Sequence, residues 1–97
     1  MDGEFSGVVT QRVQPGKEAA CEALLRELEL ATIANDKGCL RYEWYRASTP
    51  RTFILLECWT DLQAVRAHLG APHMDSIMQK LKQLAAEEFT FVGLTKL

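Results

Sequence analysis

The side chains best suited to chemistry lie in one stretch of the chain, residues 53–73, which reads FILLECWTDLQAVRAHLGAPH. This stretch holds a carboxylate inside an apolar run, Glu57, an indole, Trp59, and both histidines of the chain, His68 and His73. An imidazole titrates near neutral pH and can take a proton from a phenol or quinol hydroxyl as a general base. His68 is therefore the candidate base, and a surface or helix-capping role is the alternative.

Glu57 is flanked by apolar residues, where an ionised carboxylate is costly unless a cation or several donors meet it. We therefore expect either a partner or a raised pKa. Two interpretations stay open. In one, Glu57 pairs with an arginine of the neighbouring strand. In the other, it lies in a substrate pocket and orients or charge-balances His68.

Aromatic residues near Glu57 suit the wall of a flat, apolar pocket for a small aromatic molecule. The candidates for substrate binding are Trp59, Tyr42 and Trp44, and plain core packing is the alternative for each of them. His73 follows Pro72 at the start of a helix, so we expect it to be structural or to support the substrate-binding residues.

His68, His73 and Glu57 do not match a known metal-binding motif. The H-x4-H spacing crosses a proline break, whereas zinc proteases bind their metal through two histidines four residues apart on one helix. No further ligand is evident from the sequence, so no metal and no other cofactor is predicted. Met74 and Met78 at helical spacing are predicted to lie in the core.

Length and composition indicate a single globular domain over residues 1–97, with 47% hydrophobic and 25% charged residues. The net charge of -2 is spread without blocks, which argues against a nucleic-acid or anionic-membrane partner. No apolar run approaches the ~20 residues of a membrane span, and the chain starts without a signal-peptide pattern. The three cysteines lack a CxxC motif, so we expect reduced thiols and a cytoplasmic protein.

The pattern of apolar and turn residues predicts seven elements in the order βαββααβ. This order favours a ferredoxin-like α+β fold, a four-stranded antiparallel sheet with helices on one face. The predicted strands cover residues 5–13, 39–46, 53–59 and 88–96, and the helices run over about 17–35, from a cap at Asp61, and from the break at Gly70-Ala71-Pro72.

Three side-chain placements follow from these periods. Both faces of the third strand are apolar, with Phe53, Leu55, Glu57 and Trp59 on one and Ile54, Leu56 and Cys58 on the other, so the uncovered face is predicted to meet a second copy of the chain. The second strand should place Leu40 on the face of Tyr42 and Trp44. In the short helix, Leu62, Val65 and Leu69 should form the core stripe, with His68 at its border.

The chain also contains three blocks, PGKEAACEALLREL, GCLRYEW and FILLECWTDLQAVRAHLGAPHM. These blocks resemble the antibiotic biosynthesis monooxygenase family, and the last is closest to its small quinol monooxygenases. Their most specific part is E-x-W followed by A-x-x-x-H-x-x-x-P-H. The resemblance implies a homodimeric α/β barrel that oxygenates a phenolic or quinol-like substrate without metal or flavin. It favours His68 as the base, with Glu57 beside it and Trp59 and Tyr42 holding the ring.

Other functions remain open within the same resemblance. A branch that isomerises a small phosphorylated signalling sugar would require cations near the pocket, for which Arg41, Arg46, Arg51 and Arg66 are available. A dimeric module that binds an aromatic ligand without catalysis is a further alternative. Haem degradation is set aside, because Val9, His68 and Met78 stand near the places of that branch's asparagine, tryptophan and histidine.

RNA binding, which related βαββαβ sheets perform, is also disfavoured. The third strand carries an acid and no glycine, and the aromatic RNA-binding motif is absent from the sequence.

Overall fold

Seven elements follow each other in the order βαββααβ in the computed structural model, which describes residues 3–97. They are β1 (Phe5–Arg12), α1 (Glu18–Asn35), β2 (Cys39–Arg46), β3 (Thr52–Trp59), α2 (Leu62–Leu69), α3 (Pro72–Leu84) and β4 (Thr90–Leu94). The strands form one antiparallel sheet in the order β2-β3-β1-β4. The predicted ferredoxin-like α+β fold is therefore confirmed, and the main difference is a closing strand shorter than expected.

The core lies between the helices and one face of the sheet. On β3, the side chains of Phe53, Leu55 and Trp59 share one face, as the alternation predicted, and this face turns inward and is almost fully buried. The apolar stripe of α1 covers this face together with α3, and its buried members are Cys21, Leu25, Leu28 and Thr32. The opposite face of β3 is only half-buried, so it presents an apolar surface to solvent.

One predicted placement on β2 is wrong. Leu40 is 55% exposed and does not share the inner face with Tyr42, which is buried. The pairing with β3 shifts between Cys39 and Arg41, so Leu40 is an extra residue without a cross-strand partner. Such a bulge interrupts the strict alternation from which the prediction was made.

The predicted core stripe of α2 is wrong at two of its three residues, because only Val65 packs against the core. Leu62 and Leu69 are 48% and 59% exposed, whereas His68 is 2% exposed and is the buried residue of this helix. The inner face of α2 runs through Ala64 and His68, one turn apart, because the loop after α1 packs closely on Ala64. His68 therefore lies inside the core and not at its border.

The remaining sequence expectations concern thiols and membranes. Cys21, Cys39 and Cys58 are all free thiols, and burial raises the pKa of Cys21 to about 11. Across residues 3–97, every helix is too short or too polar to cross a bilayer.

Candidate active site

Two histidines and one aspartate meet where the end of α1 faces the turn between α2 and α3. The Oδ2 atom of Asp36 lies 2.6 Å from Nδ1 of His68 and 3.1 Å from Nε2 of His73. An ionised carboxylate only accepts hydrogen bonds, so with Asp36 ionised each of these ring nitrogens carries a hydrogen and donates a hydrogen bond to Asp36. His68 is consequently fixed in the tautomer whose Nε2 has a free lone pair, which is the form that a general base requires.

The end of α1 places Asp36. The Asp36 N–H donates to Thr32 O at 2.9 Å and closes the helix, and the chain then turns through Gly38 at φ 83°. Gly38 O accepts from the N–H of Thr60 at 2.8 Å, which ties the turn to the end of β3. A Cβ atom on Gly38 would lie 2.7 Å from the Ala64 Cβ, so only glycine allows this approach to α2.

The turn from α2 to α3 places the two histidines. Asp61 caps α2 by accepting the N–H of Ala64 at 2.8 Å, and α2 ends at Leu69. The Ala71 N–H donates to His68 O at 3.1 Å, and Pro72 starts α3 in the position that tolerates proline. The ring centroids of His68 and His73 are thereby 6.2 Å apart, close enough to share one carboxylate although they lie on different helices.

Aromatic rings enclose the His68 imidazole. The Trp59 ring centroid is 4.7 Å away and tilted by 36°, and the Tyr42 ring meets His68 edge-on at 5.2 Å. Burial and the nearby charge of Glu57 raise the pKa of Tyr42, so its hydroxyl stays protonated at neutral pH. Both predicted ring-binding residues thus contact the predicted base, and both also form part of the packed core.

Glu57 lies on the inner face of β3, on the same face as Trp59 as predicted, and it contacts Trp59. Its Oε1 accepts the indole N–H of Trp59 at 2.8 Å. Burial raises the pKa of Glu57, while the Trp59 hydrogen bond and the charge of His68 oppose this rise. Among the described residues, the carboxylate hydrogen-bonded to His68 is that of Asp36.

Aromatic residues of β1 and β4 adjoin Glu57. Gly7 pairs with Glu57 across the sheet, and the ring of Phe91 covers it so closely that a Cβ there would lie 2.5 Å from the ring. Phe91 stacks on Phe5 at a centroid distance of 5.8 Å and leaves half of its surface exposed. The sequence analysis did not single out this stacked pair.

Trp44 lies farther along β2 and lines a groove of about 560 Å³ between this strand and α1. Its backbone N–H donates to Glu29 at 2.8 Å, which satisfies one donor of the edge strand. Its indole nitrogen and the Thr32 hydroxyl are both buried without a hydrogen-bond partner. Both groups lie near the Tyr42 hydroxyl, where they oppose the rise of its pKa that burial causes.

Comparison with known proteins identifies the family of this chain. The family model described as antibiotic biosynthesis monooxygenase matches residues 5–80. The chain belongs to the antibiotic biosynthesis monooxygenase family. The match includes Asp36, Glu57, Trp59 and both histidines of the cluster, which confirms the family that the sequence blocks resemble. No curated protein is significantly similar to the chain.

Several solved structures share the fold of this family member. A candidate antibiotic biosynthesis monooxygenase of Caulobacter crescentus is 26% identical with a TM-score of 0.92, over 98% of this chain and 91% of that one. A candidate antibiotic biosynthesis monooxygenase of Nitrosomonas europaea is 20% identical, also at a TM-score of 0.92, over 100% and 94% of the two chains. A Pseudomonas aeruginosa protein is 24% identical with a TM-score of 0.88, over 100% of this chain and 97% of that one. The latter two are similar in fold alone.

Two of the four arginines available to a phosphosugar isomerase form ion pairs away from the cluster around His68. Arg46 forms an ion pair with Glu22 of α1, and Arg41 pairs with Glu43 on its own strand. Both guanidinium groups are largely exposed, and neither belongs to the cluster around His68. The guanidinium groups of Arg41 and Arg46 are therefore not placed to hold a phosphate beside His68.

The sequence analysis missed Asp36, although its type and position carried a usable signal. The segment Asn35-Asp36-Lys37-Gly38 was interpreted only as the end of a helix and a turn. In this fold, the end of α1 returns to the sheet beside the start of α2. An acid directly after α1 is thus placed near any histidine on the inner face of α2.

Proposed function

We propose that this protein is a cofactor-independent monooxygenase that oxidises a quinol or polyphenol with O2. Family membership supplies the reaction class, and the observation that carries the finer assignment is the buried Asp36 and His68 pair against Trp59. A carboxylate that holds the imidazole in one tautomer is the usual support of a histidine base. Its apolar surroundings suit a planar aromatic substrate.

The chemistry begins with proton transfer. Ground-state O2 is a triplet and reacts slowly with closed-shell organic molecules, whereas an electron-rich quinolate anion reduces it readily. His68 Nε2 accepts the hydroxyl proton of the quinol, and the charge of Asp36 stabilises the resulting imidazolium. The protein contributes a base, an apolar cavity and the orientation of the ring.

The oxygenation itself balances without an external reductant. Molecular oxygen bonds to a ring carbon beside the quinolate oxygen and gives a hydroperoxide after it takes up the proton held by His68. The O–O bond then breaks as the same carbon loses its hydrogen, so a carbonyl and one water form. One quinol and one O2 thus yield one hydroxyquinone and one water.

Substrate binding follows from the arrangement of rings. Trp59 and Tyr42 are in contact with His68, so a substrate ring reaches the base only when α2 moves away from the sheet. This helix is short and two of its leucines are about half exposed, which suits such a movement. In this arrangement, the hydrogen bond from Trp59 to Glu57 orients the indole, and the hydrogen bond from His73 to Asp36 orients the carboxylate.

The decisive experiment is O2 uptake by EDTA-treated protein with a panel of hydroquinones. We expect His68→Gln to reduce kcat by at least about 100-fold, since general-base catalysis contributes that much or more. Asp75→Asn on the exposed side of α3 is the matched control and should retain full activity. Uptake that does not depend on His68 would refute the assignment of the base. Tight binding of a quinol without any O2 uptake would identify a non-catalytic binding module instead.

We further propose a cytoplasmic homodimer that forms through the outer face of the sheet. Leu56 and Ile54 of β3 are only half-buried there, and Val92 and Leu94 of β4 are at least half exposed. A small domain gains burial by covering such a surface. Three free thiols fit a reducing compartment.

A further inference from the structure

We propose that Asp36, His68 and His73 also bind a divalent transition-metal ion, and that Zn²⁺ is the ion best suited to the site. One ligand atom from each residue, Asp36 Oδ2, His68 Nδ1 and His73 Nε2, lies within 4.8 Å of the other two. Two imidazole nitrogens and one carboxylate oxygen form a ligand set that Zn²⁺ accepts. The sequence analysis considered Glu57 as the acidic ligand beside the two histidines, but in the structure the acid next to them is Asp36.

The contacts of Asp36 with the two rings are near the ligand separations of a zinc site. In the metal-free cluster, one oxygen of Asp36 accepts from both rings at 2.6 and 3.1 Å. Zinc bonds of about 2.0–2.2 Å at tetrahedral angles separate their ligand atoms by roughly 3.3 Å. The closer contact must therefore open by several tenths of an ångström, which a rotation of the Asp36 side chain at the end of α1 provides.

The protein supplies three ligands, each from a different element. Asp36 lies at the end of α1, His68 near the end of α2 and His73 in the first turn of α3. The side chain of His68 is 2% exposed, but that of His73 is 19% exposed, so an ion can enter past His73. Three protein ligands leave a fourth position for water, as in open zinc sites.

Metal binding would switch the tautomer of His68, a consequence that rests on the proposed function. The metal takes the Nδ1 lone pair, so the single proton of the neutral ring moves to Nε2. Nε2 then donates and no longer accepts a proton. Zinc should consequently inhibit quinol oxidation although it does not compete directly for the space of the substrate.

Calorimetric titration of untagged, metal-free protein with ZnCl2 tests the site directly. We expect one ion per chain, and at least about 100-fold weaker binding to His73→Gln, which loses a ligand. Cys58→Ser is the matched control for a half-buried thiol and should bind as the wild type does. MgCl2 should give no binding, since Mg²⁺ prefers oxygen ligands. Absence of zinc binding, or equal binding to His73→Gln, would overturn the proposal.

Nuclear magnetic resonance of ¹⁵N-histidine-labelled wild-type protein adds a test that requires no variant. The chain has only two histidines, so only two rings contribute signals. We expect His68 to change from the Nδ1–H to the Nε2–H tautomer as zinc is added, and O2 uptake to fall in proportion. A zinc complex with an unchanged His68 tautomer would refute the switch. Lack of O2 uptake before zinc is added would refute the proposed function alone, because calorimetry still measures the site.

Discussion

Removal of the Asp36 carboxylate should destabilise the protein far more than removal of any exposed acid. In Asp36→Ala, the Nδ1–H of His68 loses its acceptor in a place where only 2% of the side chain meets solvent. The Nε2–H of His73 loses the same acceptor, but its 19% exposure lets water replace it. We therefore expect the two losses to differ in size.

The magnitude follows from these exposures. A hydrogen bond to a charged group contributes about 1.5–3 kcal/mol, and a buried donor left without a partner costs a similar amount. His68 should thus account for most of the loss and His73 for little, so the free energy of unfolding should fall by about 2–4 kcal/mol. This is a large share of the roughly 5–15 kcal/mol typical of a folded domain.

Urea unfolding followed by the fluorescence of Trp59 and Trp44 measures this change at one fixed protein concentration with EDTA present. Asp75→Ala is the matched control, because the exposed Asp75 side chain accepts a hydrogen bond from Gln79 on its own helix, and its removal should cost less than about 0.5 kcal/mol. A double-mutant cycle with His68→Ala should show coupling above about 1 kcal/mol. A loss for Asp36→Ala as small as that of the control, or full additivity in the cycle, would show that the carboxylate does not hold His68.

Three further predictions concern the elements around the site. Gly38→Ala should destabilise the protein more than Gly16→Ala. Both glycines have φ near +82°, but only a Cβ at residue 38 would strike Ala64. Equal losses of unfolding free energy in urea would contradict this close approach. Glu57→Gln should flatten the pH dependence of stability. Because the folded-state pKa of Glu57 is raised, the wild-type protein loses stability as pH rises from the unfolded-state pKa of about 4.3 through the folded-state pKa. Identical slopes of unfolding free energy against pH in the two proteins would contradict the burial of Glu57. Leu56→Asp on the outer sheet face should yield monomers in analytical ultracentrifugation. Leu30→Asp on the exposed side of α1 is the control and should leave the dimer intact. An unchanged mass for Leu56→Asp would exclude the outer sheet face as the interface.

The fold was predictable because each element carries a clear period. The alternation on β3 correctly placed Phe53, Leu55, Glu57 and Trp59 on one face of the strand and Ile54, Leu56 and Cys58 on the other. These patterns reflect a simple requirement, that one face of each element be removed from water. The element order then left few ways to connect four antiparallel strands.

The errors arose where local geometry departs from an ideal period. On β2, the extra residue at Leu40 breaks the alternation, and nothing in CLRYEW distinguishes a bulge from a regular strand. On α2, hydrophobicity favoured Leu62 and Leu69 as inner residues, but the rotation of an eight-residue helix depends on its contacts. The close approach of Gly38 to Ala64 fixes that rotation and turns His68 inward.

The burial of His68 and the position of Asp36 have the same cause, and this is why sequence reasoning found only half of the site. A buried imidazole needs a partner for its N–H, since an unpaired polar group in the core is costly. The turn that rotates α2 through Gly38 begins two residues earlier with Asp36, so the contact that buries His68 also delivers its acceptor. Inference from residue types alone assigned the acid to Glu57, which is nearer to His68 along the chain. The structure shows that the Glu57 carboxylate instead accepts the Trp59 indole, which leaves the Asp36 carboxylate to hold both histidines.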